Sequence, residues 1–311
     1  MKRMAGAFIL TRMLQIPRFF RPALAFGLLS LALATALAPV QAAAQSSGFT
    51  LTPAEVEAGS PELIRVDAPA TATLDGDWMG RKLQFFRGRQ AWFALAGVDV
   101  EAATGPSTLR IMVRPATGAV RDLTSAVSIL PAHYQTGTLT VSPEFVSPGP
   151  KALKQIQAES RLKAKVFAAS AGSPLWTGSF RVPVAAEPTD SFGTRRMFNG
   201  KLASIHKGMD YRAKKGTAVR AGNSGVVVLA RSLYYEGNCV VIDHGLGLFT
   251  LSMHFSRIDV KEGQHVAAGA LLGLSGNTGR VTGPHLHWAV RWQGAYLDPS
   301  KLLGLDLSAV R

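Results

Sequence analysis

The chain has 311 residues, and its 34 lysines and arginines against 20 aspartates and glutamates give a formal net charge of +14 at pH 7. Its single cysteine, Cys239, excludes an intramolecular disulfide. The positive charge favours an anionic polymer or surface as partner, with nucleic acid as the usual alternative. The N-terminal stretch predicts export, which argues against nucleic acid.

Residues 1–44 have the order of a secretory signal peptide. Five basic residues precede an apolar run from Ala23 to Ala38, and small residues follow at 42–44. We expect cleavage near Ala42 or Ala44, and an uncleaved N-terminal membrane anchor is the alternative. Without those five residues, 29 basic residues still face 20 acidic ones, so the remainder stays basic. Export predicts a periplasmic, cell-envelope or extracellular location and leaves peripheral envelope contact and the oligomeric state open.

Residues 45–136 predict an accessory β-sandwich. Short apolar runs, the best at 63–66, 83–86, 91–95, 109–113 and 126–129, alternate with turn residues. This spacing favours an antiparallel, immunoglobulin-like sandwich. The stretch carries no catalytic cluster, which favours a spacer or targeting module.

Residues 137–186 predict a bridge made of strands and one helix. We expect a strand at 138–141, then a helix over 151–169 with a partial apolar stripe and a basic face. A second strand is predicted at 175–184, entering the next domain.

Residues 187–311 differ in composition from the rest of the chain. Glycine is dense, the apolar runs are short and β-branched, and six of the seven histidines fall here. Helical periodicity is nearly absent, so the stretch predicts a glycine-rich antiparallel β-sheet domain. The whole chain is therefore expected to be all-β.

The stretch from His206 to Asp210 places an imidazole and a carboxylate four positions apart. Gly208 between them argues against a helix, so we expect His206 on a loop and Asp210 at the end of a short strand. With His287 as the natural third donor, two imidazoles and one carboxylate make an open zinc site that leaves a position for water.

Two further histidines are left for acid–base work. His285 lies two residues before His287, and side chains two apart on a strand share a face. His254 follows another apolar run. Arg280 lies in a glycine-rich loop next to the proposed site, and could bind a substrate carboxylate or simply be solvated. Cys239 is expected to be a buried thiol, and His244 and His265 to be structural.

Residues 191–300 resemble the lysostaphin-type zinc peptidases, which cleave peptidoglycan cross-links. The resemblance extends over separate motifs in the same order: Ser191–Arg196, His206–Asp210, Gly237–Gly245, Met253–Ser256, Gly276–Arg280, Thr282–His287 and Asp298–Pro299. Ser252 departs from the pattern, because an aromatic residue often stands there; this puts local packing in doubt and not the metal site.

The resemblance implies a zinc metalloendopeptidase that hydrolyses peptide cross-links of the cell wall, with peptidoglycan stem peptides as substrate. It implies His206, Asp210 and His287 as ligands of one zinc ion per chain, and His254 and His285 as the catalytic pair. The bond that is cut, the separate roles of the two catalytic histidines and the role of the accessory domain stay open.

Two other classes fit parts of the pattern. Non-haem iron oxygenases also use two histidines and one carboxylate, but their carboxylate stands two residues after the first histidine and here it stands four after it. A non-catalytic relative that binds cell wall or activates amidases typically lacks several ligands, and this chain lacks none of them.

Overall fold

The structure is a computed structural model that describes residues 48–138, 148–198 and 201–310. The predicted signal peptide lies outside the described residues, as does most of the strand predicted at 138–141. The described residues belong to one compact unit. None of the helices described has both the length and the apolar character needed to cross a membrane.

Eleven short strands form the part of the chain before the helix. They are β1 (Phe49–Thr52), β2 (Val56–Glu57), β3 (Pro61–Val66), β4 (Thr73–Trp78), β5 (Arg81–Lys82), β6 (Phe86–Arg87), β7 (Trp92–Gly97), β8 (Gly105–Arg114), β9 (Arg121–Asp122), β10 (Ser125–Leu130) and β11 (Thr136–Thr138). One sheet has the order β1-β3-β7-β6, and a second has the order β2-β10-β8-β4-β5 with β9 beside β8.

The two sheets share one hydrophobic core. Leu109, Ile111 and Val113 alternate with more exposed residues along β8, as expected of a strand with one face buried. They join Ile64 and Phe93 of the first sheet in the same buried cluster. The strand order is compatible with the predicted immunoglobulin-like sandwich, in which strands A, B, E and D form one sheet and strands C, F and G the other.

The strand predicted at 83–86 is wrong except at its last residue. The chain leaves one sheet after β5 and enters the other at β6, so residues 83–85 form the crossover between them. Leu83 is buried there, and its amide donates to the carbonyl of Gly76. An apolar run can therefore be buried without being paired in a ladder.

The predicted helix is confirmed as α1 (Pro150–Ala168). Pro150 stands in the first turn, where its missing N–H leaves no intrahelical bond unmade. Leu162, Val166 and Phe167 pack on a buried cluster of the following sheet. The helix thus covers one face of that sheet.

The strand predicted at 175–184 is wrong, because this segment forms none. Its amides bond to separate turns instead of to one neighbouring strand. Leu175 donates to the carbonyl of His244 at 2.8 Å, and Thr177 donates to the side chain of Asn223 at 3.0 Å. Gly178 then takes a positive φ of 62° and interrupts the extended path.

The rest of the chain is a glycine-rich β-sheet, as predicted. Its elements are β12 (Pro188–Asp190), β13 (Arg195–Phe198), β14 (Lys201–Ile205), β15 (Met209–Tyr211), β16 (Ala218–Arg220), β17 (Gly225–Leu233), β18 (Gly237–Asp243), β19 (Leu248–Ile258), β20 (His265–Val266), β21 (Leu271–Ser275), β22 (Leu286–Trp292), β23 (Ala295–Leu297), α2 (Pro299–Gly304) and a 3₁₀ turn (Ser308–Val310). The main sheet has the antiparallel order β12-β15-β22-β19-β18-β17-β20.

The remaining strands attach at the margins of this sheet. β21 pairs with β16 and β19, β23 pairs with β22, and β13 pairs with β11 and β14 in a separate small sheet. The sandwich packs against the C-terminal segment, where Asp298 donates its amide to the carbonyl of Gly59 at 2.7 Å. Buried residues of both parts belong to one cluster.

Candidate metal centre and histidine pair

The three predicted ligands lie on neighbouring elements of the main sheet. His206 follows β14 on a loop, as the sequence predicts, whereas Asp210, predicted at the end of a short strand, stands in the middle of β15. His287 is on β22, directly opposite Asp210 in the antiparallel ladder. Residues opposite each other in such a pair point to the same face, so the sheet register brings the carboxylate and the imidazole together.

The three donor atoms converge on one point. Oδ1 of Asp210 lies 2.8 Å from Nδ1 of His287 and 3.2 Å from Nε2 of His206. The two ring nitrogens are 3.0 Å apart. Ligand atoms of a tetrahedral zinc site, with bonds of about 2.0–2.1 Å, are separated by about 3.3 Å. The triangle therefore has nearly the size of one face of such a site.

A hydrogen bond at the outer nitrogen of His206 determines which of its two ring nitrogens carries the hydrogen. Nδ1 lies 2.9 Å from the carbonyl oxygen of Ser191, and a carbonyl can only accept. Nδ1 therefore carries the hydrogen, and Nε2 presents a lone pair to Oδ1 of Asp210. Two lone pairs that face each other at this distance repel unless a cation lies between them, so the donor set fits a metal ion.

Asp210 is held as a carboxylate. Burial raises its pKa, but the contacts of its Oδ1 with the rings of His206 and His287 outweigh burial and bring the pKa well below its usual range. Its second oxygen, Oδ2, lies 3.4 Å from the guanidinium of Arg196, which also bonds Asp190 at 2.8 Å. Arg196 thus holds the ligand carboxylate from behind.

Gly208 leaves the space that the His287 ring occupies. A Cβ at this position would lie 2.4 Å from Nε2 of His287 and 2.8 Å from the carbonyl oxygen of Trp288. Neither contact is tolerable, and the backbone atom cannot move away without disturbing β22. The observed position of the His287 ring therefore requires glycine at position 208, the same residue that argued against a helix in the sequence.

His254 stands at an irregularity of β19. Met253 and His254 oppose the single residue Cys239 of β18, which is the pattern of a β-bulge. His254 takes a positive φ of 66°, rare for any residue other than glycine. A bulge re-aims a side chain, and here it turns the imidazole toward the metal centre.

His254 and His285 form a close pair. Their ring centroids are 4.8 Å apart, and Nε2 of His285 lies 3.7 Å from Oδ1 of Asp210. Nδ1 of His254 donates to the carbonyl of Thr278, and Nδ1 of His285 donates to that of Gly283, both at 2.8 Å. Burial, helped by the charges of His287 and His285, lowers the pKa of His254 to about 3. Its imidazole is therefore neutral at pH 7.

The five side chains line one cleft of about 710 Å³. Its walls carry charges of both signs, and the charged residues besides the ligand Asp210 are Asp190, Arg196, Lys207, Arg212, Glu236 and Arg280. Tyr235 and Tyr296 add aromatic surface. The three donors and the histidine pair thus face a cleft that can admit a ligand.

The other residues singled out in the sequence lie away from this cleft. Cys239 is fully buried, and burial raises the pKa of its thiol. His244 is buried and bonds Ser224 and Thr250, which is a structural role. His265 is exposed on β20, as expected.

Sequence reasoning did not assign roles to several residues that support the centre. Arg196 and Asp190 stand behind the ligands, and the carbonyls of Ser191, Thr278 and Gly283 orient three imidazoles. A backbone carbonyl leaves no trace in residue type, and Asp190 lies outside the recognised motifs, so only Arg196 carried a readable signal, as a basic residue within the motif Ser191–Arg196.

The chain is similar to known proteins over the part that builds the centre. Residues 204–299 match Peptidase family M23. Peptidoglycan DD-endopeptidase ShyA of Vibrio cholerae serotype O1 is 44% identical over 114 residues, which are 36% of this chain and 26% of that protein. DD-carboxypeptidase/endopeptidase Mpg of Neisseria meningitidis serogroup B is 42% identical over 95 residues, 30% of this chain and 22% of that protein. The chain thus spans about a quarter of the length of these relatives.

A solved structure extends the likeness to the sandwich. A Pseudomonas aeruginosa structure named for peptidase M23 superimposes with a TM-score of 0.62 at 26% identity. The match covers 80% of this chain and 96% of that one. Residues 204–299, which contain all three converging donors and the histidine pair, therefore form a Peptidase family M23 domain within an all-β chain.

Proposed function

We propose that the protein is an exported zinc-dependent endopeptidase that hydrolyses peptide cross-links of peptidoglycan in the periplasm or cell envelope. One observation carries the proposal: three metal-donor atoms and a pair of imidazoles meet in a single open cleft of the M23 domain. The peptidoglycan substrate is supported by the names of the similar proteins ShyA and Mpg.

His206, Asp210 and His287 would hold the zinc ion. When bound, zinc supplies a Lewis acid that lowers the pKa of water and polarises a carbonyl group. Their outer partners, Ser191 and Arg196, keep the donor atoms in place. Two histidines and one carboxylate leave room for substrate beside the ion.

The histidine pair would move the protons. Nδ1 of both His254 and His285 donates to a backbone carbonyl, so proton exchange at each ring is left to Nε2. One ring, in its neutral form, would accept a proton from the attacking water, and the other, when it carries a proton on Nε2, would stabilise the oxyanion or protonate the leaving amine.

The alternative is a non-catalytic relative that binds cell wall or activates amidases. Such a protein has no need of a complete donor set or of an imidazole pair beside it. All five side chains are present here and oriented by outer hydrogen bonds, which favours catalysis.

Digestion of purified peptidoglycan, followed by mass spectrometry of the fragments, tests the proposal. Conversion of dimeric muropeptides to monomers is the expected result. Release of intact stem peptides from the glycan would show an amidase, and no change by the zinc-loaded protein would support the non-catalytic alternative. The His265→Ala variant is the matched control, since this exposed histidine lies outside the cleft and its loss should leave digestion unchanged.

A further inference from the structure

The loop before β22 orients the two imidazoles of the pair and also places Arg280 in the cleft. Residues 276–284 provide the carbonyls that orient His254 and His285, and the same loop carries Arg280 in the cleft wall. The amide of Arg280 donates to the carbonyl of Tyr235 at 2.9 Å. Its guanidinium carbon lies 4.7 Å from the centroid of the Tyr235 ring, a cation–π contact. Both backbone and side chain of Arg280 are thus fixed against the opposite loop.

The two loops are joined closely. The side-chain oxygen of Thr278 accepts from the amide of Asn238 at 2.9 Å. A Cβ on Gly279 would lie 2.3 Å from the amide nitrogen of Gly237, so the backbones touch with no space for a side chain. This contact makes the position of Arg280 relative to the histidine pair a rigid feature of the site.

Most charges in the cleft have partners within the protein. Arg196 pairs with Asp190 and Asp210, Lys207 pairs with Glu101, and Glu236 pairs with Lys163. Among the cations that line the cleft in the described part of the chain, Arg212 and Arg280 form no ion pair with a carboxylate. Of these two, Arg280 is the one that stacks on an aromatic ring, and it belongs to the loop whose carbonyls orient the histidine pair.

We propose that Arg280 is a specificity-determining residue that binds a free carboxylate of the substrate beside the scissile bond. A planar guanidinium presents two parallel N–H donors that match the two oxygens of a carboxylate. A guanidinium already stacked on Tyr235 loses little freedom when it binds. This inference rests on the proposed peptidase function, which it deepens by naming the substrate class.

The chemistry of the bond indicates where that carboxylate lies. In a peptide bond made through the α-carboxyl of the acyl-side residue, that carboxyl is itself the scissile carbonyl, so a free α-carboxylate next to such a bond belongs to the amine-side residue. This residue is one of two kinds. It is a C-terminal amino acid, or it is a diamino acid in which the acylated amine and a free carboxylate are attached to the same carbon atom. The preferred substrate is therefore an acyl peptide whose amine-side residue is anionic.

Two cross-linked peptides that differ only in a carboxylate or a carboxamide on the amine-side residue provide the test. We expect the zinc-loaded protein to prefer the carboxylate peptide in kcat/KM, and Arg280→Met to lose about ten- to hundredfold on that peptide alone, the range for hydrogen bonds to charged groups. Arg212→Met removes the same charge from the cleft and should keep the preference. Equal losses on both peptides in Arg280→Met, or no preference in the wild type, would overturn the proposal.

A binding measurement separates this inference from the proposed function. In a His254→Ala background, calorimetry of the two peptides should show a similar preference for the carboxylate, which Arg280→Met removes. If the wild type hydrolyses neither peptide but this preference is present, the peptidase proposal fails and the carboxylate site stands. If the two peptides bind equally with Arg280 intact, the carboxylate site is wrong whatever the activity.

Discussion

Asp210 and His287 lie opposite each other on β15 and β22, with Oδ1 of the carboxylate 2.8 Å from Nδ1 of the imidazole. They are 77 positions apart in sequence and are brought together by strand register alone. A slip of one residue would turn one of them to the other face of the sheet. The antiparallel pairing of these strands is therefore a condition for the convergence of these two donor atoms.

The first prediction concerns the metal. The three converging donors should bind about one zinc ion per chain, and chelation should abolish peptide cleavage. Elemental analysis of protein purified without added metal checks the content. Iron in place of zinc, or full cleavage after complete removal of metal, would contradict the prediction.

The second prediction concerns the support of Asp210 by Arg196. Replacing Arg196 with Gln removes the charge behind the ligand carboxylate, and outer partners of this kind are typically worth about 10- to 100-fold in metal affinity. Competition with a zinc indicator measures the change. Arg195→Gln is the control, because Arg195 is exposed and its side chain has no contact with a ligand. Equal affinity in the wild type and both variants would show that Arg196 has no part in the centre.

The third prediction concerns Gly208. In Gly208→Ala the new methyl group would overlap Nε2 of His287, so we expect the ring to be displaced and zinc affinity to fall sharply. Gly172→Ala, at a position with open space, should leave zinc affinity unchanged. Circular dichroism of both variants establishes that the fold is retained. Wild-type zinc affinity in folded Gly208→Ala would show that the cleft can relax around the methyl group.

The fourth prediction concerns Glu62, which is fully buried in β3 with Oε2 unpartnered. Burial, opposed by Ser60 and Lys301, raises its pKa from 4.5 to about 8. Between these values the unfolded chain ionises Glu62 and the folded protein does not, so stability should fall as pH rises. The slope is at most about 1.4 kcal/mol per pH unit.

Denaturant unfolding between pH 5 and pH 8 measures this contribution. Glu62→Gln cannot ionise, so it should lose that part of the pH dependence whatever its absolute stability. Glu55→Gln replaces an exposed glutamate and should keep the wild-type slope. Identical slopes in Glu62→Gln and the wild type would show that Glu62 is ionised in the folded protein.

Much of the fold and of the centre could be predicted from local sequence. A short apolar run between turn residues predicted β8, and the spacing of His285 and His287 predicted that they share a face. The crossover at 83–85 and the segment at 175–184 could not be predicted, because their apolar residues are buried without being paired in a ladder, and residue types do not distinguish the two cases. The bulge that re-aims His254 depends on pairing with β18, which residue types along β19 do not encode.

The measurement that tests the account most directly compares bound zinc and turnover of a cross-linked muropeptide in His254→Ala and Asp210→Ala. Because His254 lies outside the three converging donors, its variant should keep zinc and lose a factor of about 10² to 10⁴ in rate, the usual cost of removing acid–base help. Asp210→Ala should lose zinc. If His254→Ala loses zinc as readily as Asp210→Ala, or keeps both zinc and full turnover, the division into metal ligands and catalytic pair is wrong.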